Sequence, residues 1–400
     1  MSKSSDQFTN PPSPIHVAHS VYKWLPTTEI WLYHQINYLP TELVKSHVIC
    51  EQVQNLDRFD HDPLHALSQR RVRFEWQRVL RRLGIRHRLP VLTDAIRQSR
   101  IDLVHSHFGN KAWLDHESVR RACARQVVTF YGHDVNRLPQ QEPIWRERYQ
   151  SLFAFASRIL CEGSAMGQSL INLGAPAEKV QVQHLGVEVD KIDFMPRCKR
   201  PGEPFKILIA CTFTEKKGLP YGLEALGRLK REHGIDLEIT LIGDANPNSE
   251  KQQKEKARIL KTIEDWGISE QTRLLGYQPY QAMLDEAFKH HLFLSPSVTA
   301  SDGDTEGGAP VSLIDMQATG MPIVSSLHCD IPEVVRDGNS GMLAPEKDVD
   351  MLTKHLHWFA LHPEKWGDFG TAGRKHIETE YNAAVQGERL AKIYQEVMAQ

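Results

Sequence analysis

Residues 301–326 read SDGDTEGGAPVSLIDMQATGMPIVSS and contain a glycine-rich loop, an apolar helical stretch and a short β-branched run. Gly307 and Gly308 let the backbone approach a ligand closely, Pro310 suits the first turn of a helix, and Gly320 suits its end. The free amides and the positive dipole end of such a helix favour a diphosphate. The stretch therefore predicts a phosphate-binding loop, although a capped core helix has the same pattern.

Acidic and basic side chains accompany this loop. Glu306 directly precedes the glycines, so we expect it to face a transferred sugar. Asp315 follows one to two helical turns later, where a carboxylate can accept hydrogen bonds from both hydroxyls of a ribose. Upstream, the apolar run KILIA leads into CTFTEKKG, where Lys217 can meet a leaving diphosphate as a point charge. A solvated surface lysine is the alternative interpretation at this position.

The rest of the chain alternates short β-branched runs with amphipathic helical stretches. The runs are IHVAH, HVICEQV, DLVHSHF, QVVTFYG and RILCEG in the first half, and FKILIACT, LEITLIGD, RLLGY, HLFLSPS, PIVSS and GMLAP in the second. This alternation predicts the α/β class, with two doubly wound, Rossmann-like parallel sheets joined by a linker around residues 190–204. Ligands of open α/β sheets bind at the carboxyl ends of strands, so we expect the site between the two domains.

Bulk properties exclude several classes of protein. A length of 400 residues suits two α/β domains, and a formal charge of -2 argues against wholesale nucleic-acid binding. No apolar run reaches membrane-spanning length, and the first residues lack the apolar core of a signal peptide. The six cysteines are scattered without a CxxC pair, so we expect reduced core residues. A cytoplasmic protein is the expectation.

Histidines stand at two predicted strand ends. His105 and His107 lie on one face of a strand at a spacing that suits zinc, but no third ligand is evident, so lining of the cleft is the preferred interpretation. His133 precedes Asp134, whose carboxylate can orient the imidazole toward an acceptor. A merely polar loop is the alternative for His133.

Several motifs together resemble a known family. In chain order they are LGAPAEKVQVQHLGVEVDKIDF, EKKG, LIGD, LLGY, FLSPS and EGGAPVSLIDMQATGMPIVSS. Their order and spacing are similar to those of retaining glycosyltransferases of family 4 (glycosyl transferases group 1), most of all the exopolysaccharide and colanic-acid biosynthesis type. The resemblance is strong from about Arg158 onward and thinner before it, where PTTEIWLYHQI near Glu29 and TFYGHDV near His133 also fit.

The resemblance implies the GT-B fold, in which two Rossmann-like domains face each other across a cleft. It implies an acceptor-binding domain over residues 1–195 and a nucleotide-sugar-binding domain over residues 196–378. The remaining residues, 379–400, would form a helix that packs back on the first domain.

The resemblance implies that Lys217 binds the donor diphosphate, Glu306 lies beside the donor sugar and Asp315 holds the ribose, with amides from Gly307 and Gly308. Together with the residues at predicted strand ends and loops, this gives the full set of expected site residues. The expected catalytic residues are Glu306, Lys217 and His133. The expected donor-binding residues are Lys217, Thr212, Gly307, Gly308, Ala309, Pro310, Asp315 and Tyr277. On the acceptor side the expected residues are Glu29, His107, Tyr131 and Asp134.

The chain also departs from the family pattern. Thr212 stands where the family usually has an arginine, and Tyr131 stands where it often has a histidine. Glu306 and Asp315 are separated by nine positions instead of eight. The glycine pair that usually follows the first strand is absent from HVAHSVYKWLP.

A basic segment occupies residues 66–89, ALSQRRVRFEWQRVLRRLGIRHRL, in which eight arginines alternate with aromatic and aliphatic residues. We expect an amphipathic surface, centred on Arg78, Arg81 and Arg82, that attracts anionic lipid headgroups or a pyrophosphate-linked acceptor. A solvated basic helix is the alternative.

The sequence thus leads us to expect retaining, metal-independent transfer of a sugar from a UDP- or GDP-linked donor. The expected acceptor is a saccharide or a polyprenyl-pyrophosphate-linked saccharide of a surface polysaccharide. We expect no cofactor, no metal and no nucleic-acid partner, and a cytoplasmic location with docking on the inner face of the membrane. The alternatives are a nucleotide-sugar epimerase on the same fold and a noncatalytic nucleotide-sugar-binding subunit. A dinucleotide dehydrogenase is disfavoured because no GxGxxG follows an early strand.

Overall fold

The computed structural model describes residues 13–26, 29–82 and 89–400, without the side chains of residues 69–73, 78, 81 and 82. The described chain forms two parallel β-sheets with helices between the strands. The prediction of two doubly wound α/β sheets is confirmed. We call each sheet with its helices a lobe.

The first sheet has seven parallel strands in the order β3-β2-β1-β4-β5-β6-β7. The strands are β1 (Ile15–Trp24), β2 (Val44–Val53), β3 (Leu64–Ala66), β4 (Leu103–His107), β5 (Arg125–Thr129), β6 (Arg158–Cys161) and β7 (Val180–Val182). Strand order reverses between β1 and β4, which is where doubly wound sheets open a crevice for ligands.

The second sheet repeats this topology with six parallel strands in the order β10-β9-β8-β11-β12-β13. The strands are β8 (Phe205–Ala210), β9 (Leu237–Ile242), β10 (Thr272–Leu274), β11 (Leu292–Ser295), β12 (Ile323–Ser326) and β13 (Gly341–Ala344). Here the strand order reverses between β8 and β11, so the expected crevice lies beyond the ends of these two strands.

Helices connect the strands in both lobes. Those of the first half are α1 (Ile30–Asn37), α2 (Arg71–Arg82), α3 (Pro90–Gln98), α4 (Gly109–Ala122), α5 (Leu138–Gln141), α6 (Ile144–Phe155) and α7 (Ser164–Asn172). Those of the second half are α8 (Leu219–His233), α9 (Glu250–Asp265), α10 (Tyr280–Ala287), α11 (Val311–Ala318), α12 (Ile331–Val334), α13 (Val349–Leu361), α14 (Trp366–Glu380) and α15 (Ala383–Met398).

Each sheet is buried on both faces. Along β8, Ile207 and Ile209 pack into one apolar cluster, whereas Leu208 and Ala210 pack into another on the opposite face. Successive side chains of a strand point to opposite faces, so a sheet covered on both sides needs apolar residues at every position. This requirement explains why the strands read as continuous apolar runs.

Two edge strands lay outside the predicted set. β3 and β7 have three residues each and stand at the two edges of the first sheet. Their sequences, LHA and VQV, are too short and too polar to be distinguished from loops by periodicity. β3 and β7 become strands because they form hydrogen bonds with the neighbouring strands β2 and β6, which the local sequence does not reveal.

The last helix, α15, packs against the first sheet although it follows the second lobe in sequence. Leu390 and Tyr394 share an apolar cluster with Val17, Leu103 and Val127 of the first sheet. Helix α15 thereby covers one face of the first sheet.

In the described part of the chain, none of the helices combines the length and the apolar character needed to cross a membrane. Helix α2 includes the positions of Arg78, Arg81 and Arg82, but the side chains of these arginines lie outside the described part.

Candidate active site

The loop after β8 places Lys217 at the point where strand order reverses in the second sheet. Gly218 ends this loop with φ 61°, and a Cβ atom there would stand 1.9 Å from the carbonyl oxygen of Pro296, so glycine is required. The constraint presses the loop against the segment that follows β11. Lys217 is thereby directed toward the glycine-rich stretch.

Lys217 and Glu306 form an ion pair in the cleft. The Lys217 Nζ lies 2.8 Å from Glu306 Oε2, and the hydroxyl of Ser297 donates to Glu306 Oε1 over 2.7 Å. Burial acts to raise the pKa of Glu306, but the positive charges of Lys217 and Lys216 outweigh it, so this pKa lies below its usual value. Glu306 is therefore ionised at neutral pH, and its two oxygens are held in fixed directions.

A second layer of hydrogen bonds fixes the backbone around Glu306. The Glu306 amide donates to His328 Nε2 over 3.1 Å, and His328 Nδ1 lies 2.6 Å from Glu346 Oε1. Lys216 Nζ donates to the carbonyl oxygen of Thr305 over 2.8 Å, so this lysine supports the loop. Across the cleft, the amide of Asn136 donates to Thr305 Oγ1 over 2.8 Å.

The two glycines of the loop lie where the lobes approach each other closely. A Cβ on Gly307, whose φ is 83°, would stand 2.3 Å from the Gly132 Cα of the first lobe. A Cβ on Gly308 would stand 1.8 Å from Glu162 Oε2. Side chains at these two positions would separate the lobes, so the glycines permit close contact with the backbone of Gly132 and the carboxyl group of Glu162. The predicted approach of these glycines to a ligand stays a prediction.

Glu162 is a site residue that the sequence analysis missed. Burial, together with the negative charges of Asp330, Asp134 and Glu306, raises the pKa of Glu162 well above its usual value. The signal was available, because Glu162 directly follows the strand RILC, and strand ends are where α/β sheets bind ligands. The sequence alone does not show that the missing side chain of Gly308, in the other lobe, leaves space for the Glu162 carboxyl group.

The second lobe also caps a helix of the first. Asp330 Oδ1 accepts a 2.7 Å hydrogen bond from the Ala165 amide, and Glu333 Oε1 accepts from the amide and the hydroxyl of Ser164. These groups are the first amides of α7, which need acceptors at a helix N-terminus. Burial raises the pKa of Asp330 to about 6. Carboxyl groups of the second lobe therefore join the two lobes at the start of α7.

Asp315 lies on α11, one helical turn beyond the loop. It is buried, and Asp315 Oδ1 accepts a 2.9 Å hydrogen bond from the hydroxyl of Tyr280. Burial raises the pKa of Asp315 to about 7, against the opposing effect of this hydrogen bond. The sequence analysis did not anticipate Tyr280, which comes from α10 and orients the carboxyl group.

The remaining predicted donor residues border the same region. Thr212 is partly buried in the loop after β8, and Ala309 and Pro310 directly precede α11. Tyr277 is 58% exposed, and its hydroxyl donates to the carbonyl oxygen of Asp244 over 2.7 Å, which leaves the ring accessible.

On the first lobe, Tyr131 joins the predicted acceptor residues to the sheet. Its hydroxyl lies 2.6 Å from Nδ1 of the buried His107 and donates to Gln35 Oε1 over 3.3 Å. Its ring lies against those of Trp31 and Phe108, at centroid distances of 4.5 and 4.8 Å. Glu29, just before α1, has a pKa that is raised chiefly by burial.

The expected partnership of Asp134 with His133 is wrong. Asp134 Oδ2 accepts from the Gly109 amide over 2.6 Å, and Asp134 Oδ1 accepts from the Tyr131 amide over 3.0 Å. Asp134 is buried, whereas His133 is exposed. Two backbone amides satisfy a buried carboxylate better than one exposed imidazole, so Asp134 shapes the loop of the cleft instead of orienting His133.

Both halves of the chain match known families of glycosyltransferases. Residues 190–376 match the family model "Glycosyl transferases group 1", and residues 28–191 match "Glycosyltransferase Family 4". The chain is 33% identical over 297 residues to the amylovoran biosynthesis glycosyltransferase AmsK of Erwinia amylovora, which covers 73% of this chain and 69% of AmsK. It is 32% identical over 336 residues to the putative colanic acid biosynthesis glycosyltransferase WcaL of Escherichia coli, over 80% of this chain and 78% of WcaL.

Solved structures share the fold at low sequence identity. HepE of Anabaena, in complex with UDP and glucose, is similar with a TM-score of 0.74 and 15% identity, over 96% of this chain and 100% of HepE. A sucrose-phosphate synthase from Thermosynechococcus elongatus is similar with a TM-score of 0.76 and 12% identity, over 96% of this chain and 99% of the synthase. With the two family matches and the identity to AmsK and WcaL, we conclude that this chain belongs to glycosyltransferase family 4 and is a glycosyltransferase with the GT-B fold.

Proposed function

We propose that the chain transfers a sugar, with retention of anomeric configuration, from a UDP- or GDP-linked donor to a saccharide or polyprenyl-pyrophosphate-linked acceptor during synthesis of a surface polysaccharide. The observation that carries this proposal is the Lys217–Glu306 ion pair at the N-terminal end of α11, with Asp315 one turn further along. A cation and helix amides bind a diphosphate, and carboxylates accept hydrogen bonds from the hydroxyls of a sugar and of a ribose.

In the proposed reaction, the bond between the anomeric carbon and the diphosphate oxygen breaks, and the diphosphate keeps the electron pair. Lys217 and the amides before α11 stabilise the charge that develops there, so no metal ion is needed. The acceptor oxygen forms the new bond on the same face of the sugar, and its proton passes to the departing diphosphate. Glu306 holds Lys217 in the cleft before the donor arrives and contacts the transferred sugar afterwards.

Division of labour between the lobes is part of the proposal. Residues 196–378 bind the donor, residues 1–195 bind the acceptor, and residues 379–400 close back on the first lobe. The names of AmsK and WcaL support a polysaccharide product. A GDP-linked donor is a candidate because a more distant relative is named as GDP-mannose-dependent, and a UDP-linked donor is a candidate because HepE binds UDP.

Acceptor delivery from a membrane fits the surface of α2. Trp76 and Val79 on this helix are 64% and 42% exposed, beside the positions of Arg78, Arg81 and Arg82. Exposed aromatic and aliphatic side chains among arginines suit reversible docking on anionic lipids. The protein would then work at the cytoplasmic face, near a lipid-linked acceptor.

The deciding experiment screens the purified chain by thermal shift against UDP, GDP, UDP-glucose, UDP-galactose, GDP-mannose and GDP-fucose. A ligand that binds only the native state raises the melting temperature. We expect one nucleotide class to stabilise the protein. The matching nucleotide sugar should release its nucleoside diphosphate when acceptor is added, also in the presence of EDTA. Absence of any shift, or activity that requires manganese or magnesium, would contradict the proposal.

A further inference from the structure

We propose that His19, His105 and His107 bind one divalent transition-metal ion of the zinc type inside the first lobe. Each of the three residues offers a ligand atom that lies within 4.8 Å of the others. All three side chains are fully buried. The cluster belongs to the first sheet, whereas the Lys217–Glu306 pair belongs to the second lobe, so this inference does not depend on the proposed transfer chemistry.

The register of the sheet brings the third histidine to the pair. His19 on β1 stands directly opposite His105 on β4, and His107 follows on the same face of β4 two positions later. Side chains on one face of neighbouring parallel strands are close neighbours. The sequence suggests a zinc spacing only at His105 and His107, because His19 lies far away along the chain.

One distance in the cluster is close to that of a coordination sphere. His19 Nδ1 and His107 Nε2 are 3.0 Å apart. Two nitrogens at about 2.0–2.1 Å from a tetrahedral zinc ion lie about 3.3 Å from each other, so this pair needs to separate by only a few tenths of an ångström. His105 completes the set by turning its ring toward the ion and giving up its hydrogen bond with Thr129 Oγ1.

One ring nitrogen of the cluster has no hydrogen-bond partner among the described residues. Five of the six ring nitrogens have a described partner: His19 and His107 bond each other, His107 bonds Tyr131, and His105 bonds Tyr394 and Thr129. The sixth, His19 Nε2, is buried and has no partner among the described residues. Buried polar atoms without partners are unusual and deserve a functional explanation. The ligand atom proposed for His19 is Nδ1, so Nε2 is not the atom that would bind the ion.

Tyrosine hydroxyls hold the outward nitrogens of two of the rings. Tyr394 lies 2.7 Å from His105 Nδ1, and Tyr131 lies 2.6 Å from His107 Nδ1. Ligating histidines in metal sites are oriented in this way, by a hydrogen bond at the nitrogen that faces away from the ion.

A bound ion would join three parts of the first lobe. It would link β1 to β4 at the reversal of strand order, reach α15 through Tyr394, and reach the wall of the cleft through Tyr131. Three histidines leave one position of a tetrahedral ion without a protein ligand, and the burial of all three keeps that position away from bulk solvent. An ion in this position would hold the end of the chain on the first sheet.

The test uses the full chain, expressed without a polyhistidine tag in medium that contains added zinc. Metal content is measured by inductively coupled plasma mass spectrometry after gel filtration, for the wild type, His19→Gln and the control His47→Gln. His47 is a matched control because it is a buried histidine of the same sheet, on β2. We expect about one zinc per chain in the wild type and the control, and a loss of at least about fivefold in His19→Gln.

A second measurement guards against a variant that does not fold. Zinc K-edge X-ray absorption of the wild type should show three nitrogen ligands at about 2.0–2.1 Å. A wild type that contains less than about one tenth of an equivalent of zinc, nickel, copper, iron or cobalt combined would overturn the proposal. Equal metal content in His19→Gln and the wild type would overturn it as well.

Discussion

Glu162 of the first lobe lies against the backbone of Gly308 in the second lobe, so that a Cβ at position 308 would stand 1.8 Å from Glu162 Oε2. The same contact brings Glu162 near the negative charge of Glu306. The contact between the lobes at this point therefore depends on the missing side chain of Gly308 and on the carboxyl group of Glu162, whose pKa is raised. Both features can be tested.

Gly308→Ala should lower kcat/KM by roughly tenfold to a hundredfold, because overpacking of a close contact typically costs about 1–3 kcal/mol. If the loss comes from the contact with Glu162, the double variant Gly308→Ala/Glu162→Ala should recover part of it. Steady-state kinetics of both variants, with circular dichroism as a check of folding, decide the question. A double variant that is no better than Gly308→Ala would place the defect in the donor loop alone.

Lys217→Gln should reduce transfer by about 100- to 1000-fold, as expected when one group that stabilises developing charge is removed. The glutamine amide can still donate to Glu306, so the melting temperature should change little. Single-turnover kinetics at saturating donor measure the effect. Lys251→Gln is the control, since Lys251 pairs with Asp302 on the surface. Equal rates for both variants would remove Lys217 from the mechanism.

Asp315→Asn should weaken binding of the nucleoside diphosphate itself by about 10- to 100-fold, through loss of charge-assisted hydrogen bonds to ribose. Since burial raises the pKa of Asp315 to about 7, the wild type should also lose affinity as pH falls below 7, because a protonated carboxyl group accepts fewer hydrogen bonds. Isothermal titration calorimetry from pH 5.5 to 8.5 measures both effects. The variant should be much less sensitive to pH, and a profile identical to that of the wild type would argue against a ribose contact.

Acid should destabilise both lobes through buried histidines. Burial lowers the pKa of His47 and of His291 from 6.5 to about 4 in each case. The unfolded chain then binds more protons than the folded chain between pH 6.5 and about 4, so the free energy of unfolding falls as pH decreases through this window. Each histidine contributes at most about 1.4 kcal/mol per pH unit.

Denaturant melts of His47→Gln and His291→Gln between pH 4.5 and 7.5 test this effect. Each substitution should flatten the pH dependence of the free energy of unfolding in this window. His116→Gln serves as a control, because His116 is only partly buried on α4. Unchanged slopes in both variants would show that other groups control the acid sensitivity.

Replacement of Arg78, Arg81 and Arg82 by glutamate should abolish binding to vesicles that contain anionic lipid. Each basic residue near such a surface contributes about 1 kcal/mol, so three reversals should weaken binding by at least about 100-fold. Co-sedimentation at low and high salt, with neutral vesicles as the control, measures it. If the wild type does not bind anionic vesicles even at low salt, a soluble acceptor is indicated.

Local patterns in the sequence determined much of the architecture. Alternating apolar runs and amphipathic stretches indicated two doubly wound sheets, because a strand covered on both faces must be apolar along its length. The glycines and proline before Val311 marked the start of α11, and the turn at Gly218 placed Lys217 at a strand end. These signals act over a few residues, so they can be read without knowledge of the fold.

Only the tertiary structure determined which distant residues meet. His19 joins His105 and His107 because the register of β1 and β4 aligns them, and a shift of one residue would turn His19 to the other face. Glu162 reaches Gly308, and Asp134 turns to backbone amides instead of His133, because of how the lobes and loops pack. Such contacts depend on the sum of many weak interactions across the whole chain, whereas helix starts, turns and buried strands depend on residues that are neighbours in sequence.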